Sequence, residues 1–235
     1  MNQRLGVLLS QPILTNIVST MEGLDDCPVF IDINDLHNFA NSFDVSHDYY
    51  LYLSEDGLSL KPFDKSKHGD IKVDFLRGKN NHRRLYSTSY RSDIARAFAI
   101  SSKNKPRILD CTAGFGSDAF SLASLGCKVK LIERNPLIYA LLYDGIQRMQ
   151  MAICSDEQLK KCINISCRYC DSICYLNQSS GHQNFFDAIY LDPMFPPKSK
   201  SAKSKREMQA IQNIADSEDD HDKLLSGAFE SRVKR

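Results

Sequence analysis

Residues Arg107 to Gly126, RILDCTAGFGSDAFSLASLG, set the terms for the whole chain. A short apolar run ends at an acid, Asp110, turns through Gly114 and Gly116, and opens an amphipathic stretch that stops at Gly126. That is the pattern of a strand, a glycine turn and a helix N-terminus. Glycine reaches backbone angles closed to other residues and lets a ligand approach the main chain, while the first unpaired N–H groups of the helix point at it. The turn predicts a small polar ligand. Glycines placed only for geometry give the same GxG, so the residues beyond Gly126 must decide between the two. A second strand, Lys128 to Ile132, ends in Glu133, where an acid at the carboxyl end of strand two can accept both ribose hydroxyl hydrogens. A nucleoside is therefore the leading ligand. Gly114, Gly116 and Ala119 also satisfy the GxGxxA form of the dinucleotide fingerprint, which keeps a nicotinamide cofactor as a rival.

At 235 residues and 42% hydrophobic, the chain can bury one good core with a smaller appended lobe. A net charge of +1 makes no global case for nucleic acid, so local patches must carry any such case. The N-terminal MNQRLGVLLSQPIL is broken by Gln11 and Pro12 and lacks a small-residue cleavage site, so it reads as a strand rather than a signal. No stretch approaches the roughly 20 apolar residues of a membrane span, and the expectation is a cytoplasmic protein with no membrane partner. Eight cysteines in a chain of this size read as free thiols. Cys162, Cys167, Cys170 and Cys174 have a spacing that resembles iron–sulfur or zinc patterns, but Ile163, Ile165 and Cys167 alternate with polar neighbours as a half-buried strand does, and no metal is expected.

Residues 1 to about 90 read as a small α+β lobe. Strands are predicted near Gly6 to Leu9 and Val29 to Ile31, a helix over Asp35 to Ser42, a hairpin of Tyr49 to Leu53 and Leu58 to Pro62 about Glu55-Asp56-Gly57, and a further strand over Ile71 to Phe75. A basic loop runs from Arg77 through Arg83 and Arg84. Ser92 is a candidate N-cap for a helix over Asp93 to Ile100. After Glu133, Asn135 caps and Pro136 takes the first helical position of a helix reaching about Met149. The third strand of the nucleotide fold, Asn164 to Arg168, exits into Asp171-Ser172, an acid and a hydroxyl placed either to recognise an adenine amino group or to cap the loop.

Phe186 to Leu191 is the fourth strand, and its exit, Asp192-Pro193-Met194-Phe195-Pro196-Pro197-Lys198, is the chemical centre. An acid followed by proline, one residue and an aromatic resembles the (D/N/S)-P-P-(Y/F) motif of methyltransferases that modify planar amino groups. An exocyclic amine has its lone pair delocalised into the ring, so an acceptor gripping its hydrogens must restore nucleophilicity while an aromatic face holds the base. Asp192 is the candidate acceptor, helped by the Pro193 carbonyl, and Phe195 the stacking face.

Taken together, DCTAGFGSDAF, LIERNPLIYALLYDG and YLDPMFPPKSKSA closely resemble the ribosomal RNA small subunit methyltransferase J family. The resemblance takes in the VDF and HRR stretches and covers most of the chain from about Ile71. It implies a Rossmann-like fold over residues 91–235 and the use of S-adenosylmethionine to methylate the N2 amino group of a guanosine in 16S ribosomal RNA, free or in the small subunit. Together with the glycine turn it makes Asp110, Gly114, Gly116, Ser117, Asp118, Glu133, Arg134, Asp171, Ser172 and Asp192 the candidate cofactor contacts. Ser117 departs from the arginine usual at that position. Helices are predicted over Lys205 to Ile214 and Lys223 to Phe229. Family members continue beyond the position of Arg235, so the expectation is a shortened sheet, missing the end of strand five and the antiparallel pair that closes seven strands. An oxidoreductase using NAD and a non-catalytic RNA-binding remnant are the rival readings.

Arg83, Arg84, Lys198, Lys200 and Lys203 are the candidate RNA-binding residues, expected to form one basic face across the site's mouth. Replacing all five with neutral residues is expected to weaken RNA binding and flatten its salt dependence, by about 0.7 in the log–log slope for each single-strand phosphate left without its cation. Cofactor affinity should be untouched. An unaltered salt slope in the fivefold variant assigns these residues to plain solvated surface.

Overall fold

The computed structural model describes residues 7–9, 22, 27, 29–32, 34–36, 38, 49–63, 69–82, 89–153, 160, 164–178, 185–192 and 221–231. Two four-stranded sheets organise them. The N-terminal sheet contains β1 (Val7–Leu9), β2 (Val29–Phe30), β3 (Tyr49–Ser54) and β4 (Gly57–Pro62) in the order β2-β1-β3-β4. β1 runs parallel to both β2 and β3, and β3 and β4 form the expected hairpin, with Ser54 opposite Gly57 across a two-residue turn. Helical backbone at 35, 36 and 38 falls within the stretch expected to be a helix and begins one residue earlier, at 34; the other residues of that stretch lie outside those described.

The second sheet contains β5 (Arg107–Asp110), β6 (Lys128–Glu133), β7 (Ile165–Tyr169) and β8 (Ala188–Tyr190), all parallel, in the order β7-β6-β5-β8. β5 is buried along Ile108 to Asp110, as a strand covered on both faces must be. One face packs against α3 (Ser117–Ser124) and α4 (Pro136–Ala152) through Ile108, Val129, Leu131, Phe120 and Leu141. The other packs against α5 (Ser172–Gln178) and α6 (His221–Glu230), with Leu109, Cys111 and Ile132 meeting Leu176 and Leu224. The chain thus steps from β5 to β6 to β7 on one side, then returns past β5 to lay down β8 on the other.

Local chemistry accounts for the helix ends. Asn135 accepts hydrogen bonds from the Leu137 and Ile138 amides at 3.0 and 3.2 Å, with Pro136 at the first helical position where its missing N–H costs nothing. Ser92 caps α2 (Asp93–Ala97) through the Ala95 amide. α2 stops earlier than the predicted Ile100 because Ala99 adopts a left-handed φ of 51°. The Ile100 amide then reaches back to the Ala95 carbonyl and the Ala99 amide to the Arg96 carbonyl, a Schellman closure made without glycine.

The segment expected to be a strand over Ile71 to Phe75 is corrected by the structure. Ile71 alone pairs, exchanging both backbone bonds with Leu60 at 2.8 and 2.9 Å. Two residues later the Val73 carbonyl is taken by the Arg148 guanidinium of α4, and the Asp74 carboxylate accepts the Leu76 and Arg77 amides, which turns the chain out of any ladder. The basic loop beyond it begins with a short helix, α1 (Gly78–His82).

α4 is the element both sheets share. Its buried residues run from Ile138 to Ile146 on more than one face, because one side lies on the parallel sheet and another on β4 and the 71–75 segment. Arg148 bonds Asp144 at 2.8 Å, both largely buried, and sits 3.8 Å from Asp74. Phe75 stacks on Phe120 of α3 with ring centroids 4.8 Å apart, an aromatic pair worth about 0.5–1.5 kcal/mol beyond its burial. At Gly145 the helix approaches so closely that a Cβ would lie 2.7 Å from Val73 Cγ1 and 2.9 Å from the Val73 carbonyl oxygen. Gly145→Ala is therefore a test of this seam. Alanine raises helix propensity by about 0.8–1.0 kcal/mol, whereas overpacking against a backbone atom costs about 1–3 kcal/mol. The variant should melt several degrees below the parent in a thermal scan; a higher melting temperature would show that α4 and the 71–75 segment can separate freely.

Candidate active site

The strand order reverses between β5 and β8, and in an open parallel sheet ligands bind in the crevice outside the carboxyl ends of the strands at such a point. Nearly every candidate residue within the described part of the chain lies along this carboxyl edge. Asp110 ends β5, Glu133 ends β6, Asp171 and Ser172 come after β7, and Asp192 comes after β8. Pro193, Phe195, Lys198, Lys200, Lys203, Arg83 and Arg84 lie outside the described residues, as does the helix expected over Lys205 to Ile214.

Gly114 and Gly116 have left-handed φ values of 51° and 71°, but they serve different neighbours. Among the described residues, a Cβ at Gly114 would meet nothing within 4 Å, so its backbone is uncovered by them. A Cβ at Gly116 would collide with Leu142 Cδ1 at 2.7 Å and touch Phe75, which places that glycine's hydrogen in the packing between α3 and α4. The second glycine closes the core; the first leaves the main chain uncovered toward the crevice.

Glu133 is only 8% exposed. Its Oε2 accepts the Gly114 amide at 3.0 Å and its Oε1 the Asn135 amide at 2.8 Å, joining the glycine turn to the cap of α4. Burial pushes its carboxyl up, and the amides of Asn135 and Gly114 pull it back toward the charged form. The Arg134 amide draws it the same way, and a carboxylate's roughly four acceptor positions exceed these three amides, leaving capacity for a ligand hydroxyl. Asp110 is 2% exposed, and burial pushes its carboxyl up to about 7 despite the Thr112 hydrogen bonds, with Asp118 and Glu133 adding to the rise. Asp118, in the first turn of α3, accepts the Tyr190 hydroxyl at 3.0 Å. Ser117 opens α3 and is partly exposed.

At the far end of the edge, Asp171 accepts the Cys174 amide at 2.9 Å and lies 3.9 Å from the exposed Arg134. Ser172 is buried and its hydroxyl donates to the Cys111 carbonyl at 2.7 Å. Loop capping thus employs one Asp171 oxygen and the Ser172 hydroxyl, leaving the second Asp171 oxygen toward Arg134. Asp192 is exposed, and its amide donates to Thr112 Oγ1 at 2.8 Å. Thr112 and Tyr190 are the site residues that the sequence did not single out; the threonine's position two residues after a strand-ending acid was the available signal. β7 alternates as read, with Ser166 and Arg168 exposed and Ile165 and Cys167 turned inward. Among the described residues no group of three or more His, Cys, Asp or Glu is arranged to hold a metal ion. No helix among them is long and apolar enough to cross a membrane.

An open backbone beside a buried strand-end carboxylate fits a cofactor with a ribose and a small polar tail. The chain matches the family described as "Putative SAM-dependent methyltransferase" over residues 35–235. Its fold is similar to the crystal structure of a SAM-dependent methyltransferase from Neisseria gonorrhoeae, at a TM-score of 0.66 and 23% identity, covering 96% of this chain and 80% of that one. The chain is an S-adenosylmethionine-dependent methyltransferase. It is 40% identical to ribosomal RNA small subunit methyltransferase J of Cellvibrio japonicus, covering 78% of this chain and 69% of that protein. It is 38% identical to the protein of that name from Pseudoalteromonas translucida, covering 88% and 81%, and 35% identical to that of Haemophilus influenzae, covering 79% and 70%. With relatives this close over more than two thirds of their length, the chain belongs to the ribosomal RNA small subunit methyltransferase J family, which removes the nicotinamide rival.

The raised Asp110 carboxyl has a consequence for stability. The folded state holds this proton up to about pH 7, while the unfolded chain releases it near the ordinary 3.8. The folded form binds more protons throughout that window, so stability falls as pH rises through it and levels off above. Asp110→Asn can still accept from Thr112 but has nothing to titrate. Its melting temperature should fall less between pH 5 and about pH 7.5 than the parent's. Equal slopes for the two proteins would mean that Asp110 ionises normally in the fold.

Proposed function

We propose that this chain methylates the N2 amino group of a guanosine in 16S ribosomal RNA, presented free or in the small subunit. The observation that carries the reading is the convergence, on one edge of one sheet, of the Gly114 backbone that no described residue covers, the buried Glu133 carboxylate and the exposed Asp192. The names of the relatives supply the class of RNA, and the motif beginning at Asp192 supplies the amine.

S-adenosylmethionine, when bound, supplies a methyl already activated on a sulfonium, which leaves orientation and acceptor geometry to the protein. Glu133 would receive the ribose hydroxyls with the acceptor capacity that its backbone amides leave, and the Gly114 backbone would let the cofactor's tail lie close. Asp110, Asp118, Arg134 and Asp171 would add cofactor contacts along the same edge, with Gly116, Ser117 and Ser172 shaping the backbone there. Asp192 accepts the hydrogens of the exocyclic amine and localises the nitrogen lone pair toward the methyl, and the Pro193 carbonyl and Phe195 ring complete the grip. Asp192 would take the amine proton as the nitrogen accepts the methyl, the sulfonium leaving as a neutral thioether. Residues 1–90 form a lobe that holds RNA together with the five basic residues.

The deciding experiment measures S-adenosylmethionine binding by calorimetry and transfer of labelled methyl to 16S ribosomal RNA, with nucleoside analysis for N2-methylguanosine. Glu133→Ala should weaken cofactor binding by roughly 1.5–3 kcal/mol, the range for hydrogen bonds to a charged acceptor. An unchanged dissociation constant removes Glu133 from the ribose site. Asp192→Ala should lose most of its turnover at saturating cofactor, and turnover within about a factor of two of the parent sinks its assigned role.

A further inference from the structure

Asp192 begins a loop at the exposed end of β8, yet its chemistry demands a fixed position. Its backbone is tied to the β5 loop by one side chain, since the Asp192 amide donates to Thr112 Oγ1 at 2.8 Å across 80 residues of sequence. The clasp crosses the crevice at the place where the strand order reverses, just beyond the last ladder bond there, from the Cys111 amide to the Tyr190 carbonyl. Thr112 is itself set by Asp110, whose Oδ1 accepts the Thr112 amide at 2.9 Å. The same oxygen lies 3.4 Å from the Thr112 hydroxyl, long for such a bond but the right side to draw its hydrogen away from Asp192. A hydroxyl that points its hydrogen at Asp110 presents a lone pair to the Asp192 amide.

We propose that the Thr112 hydroxyl is a positioning residue for methyl transfer, acting through the backbone of Asp192. This rests on the assignment of Asp192 as amine acceptor made above. Asp192 is exposed, so its amide would find water if Thr112 let go, and loss of the clasp costs placement rather than stability. A misplacement on the order of 1 Å at a reacting group can cost about 100-fold in rate.

The test uses the isotopically labelled 235-residue chain and three forms: parent, Thr112→Val and Thr112→Ser. Amide hydrogen exchange at Asp192 should accelerate about tenfold or more in the valine form and return toward the parent rate in serine, which restores the hydroxyl. In parallel, kcat on 16S ribosomal RNA should fall about tenfold or more in valine and recover in serine, with the S-adenosylmethionine dissociation constant within about threefold throughout. Thr112→Ala carries the same comparison if valine fails to fold. Unchanged Asp192 exchange in the hydroxyl-free forms overturns the clasp. Faster exchange with parental kcat overturns its role in positioning. A parent protein that binds cofactor but methylates no ribosomal RNA would instead fail the RNA assignment, and the exchange comparison would still decide whether Thr112 holds Asp192.

Discussion

The Glu133 carboxylate is buried at the end of β6, and burying a charge is affordable only with donors at hand. Backbone amides provide them, among them that of Gly114 in the turn after β5 and that of Asn135 at the head of α4. Three consecutive pieces of the nucleotide-binding unit are thereby registered on one side chain. The arrangement also keeps acceptor capacity free on the side facing the crevice. A shorter acid would reach fewer of these donors, and an amide would bring an NH2 group where another acceptor position is needed.

The rest of the fold braces this edge from behind. α4 carries Asn135 at its head and is clamped along its length between the parallel sheet and the N-terminal hairpin, through the close passage at Gly145 and the Asp144–Arg148–Asp74 ion network. Breaking one partner of a largely buried pair leaves an uncompensated charge, so this seam resists sliding as well as separation. Motion of the N-terminal sheet is therefore coupled mechanically to the cap that Glu133 holds. The N-terminal sheet and the helix that frames the carboxyl edge of the parallel sheet are joined by the same few residues.

What the sequence made legible was local. The strand–turn–helix over Arg107 to Gly126, the Asn135-Pro136 start of α4, the Ser92 cap and the hairpin about Glu55-Asp56 each declare themselves within a few residues, because caps and turns are short-range chemistry. The alternation of Ile71, Val73 and Phe75 is equally regular, yet no ladder forms beyond Ile71. Val73 meets α4, and Phe75 meets Phe120, so tertiary partners claimed a strand-like pattern. The same limit hid Thr112 and Tyr190. Their partners lie 80 and 72 residues away, and only the order β7-β6-β5-β8 brings them together. Ser172 was visible as a polar residue at the right place, but its use by the Cys111 carbonyl depends on β5 lying near α5.

The glycine turn shows why its spacing alone names no ligand. Gly116 is required by Leu142, a packing demand that any helix docked this tightly on a parallel sheet would make, whatever the crevice holds. Gly114 is the glycine whose backbone no described residue covers, and an uncovered backbone admits a pyrophosphate as readily as an amino acid tail. Discrimination must therefore come from charge. Here the turn sits beside Asp118 and Glu133, a setting that disfavours a phosphate chain and suits a ligand with positive charge close to its ribose. A sulfonium nucleoside, the cofactor of this family, meets that demand, whereas the glycine spacing by itself selects no ligand.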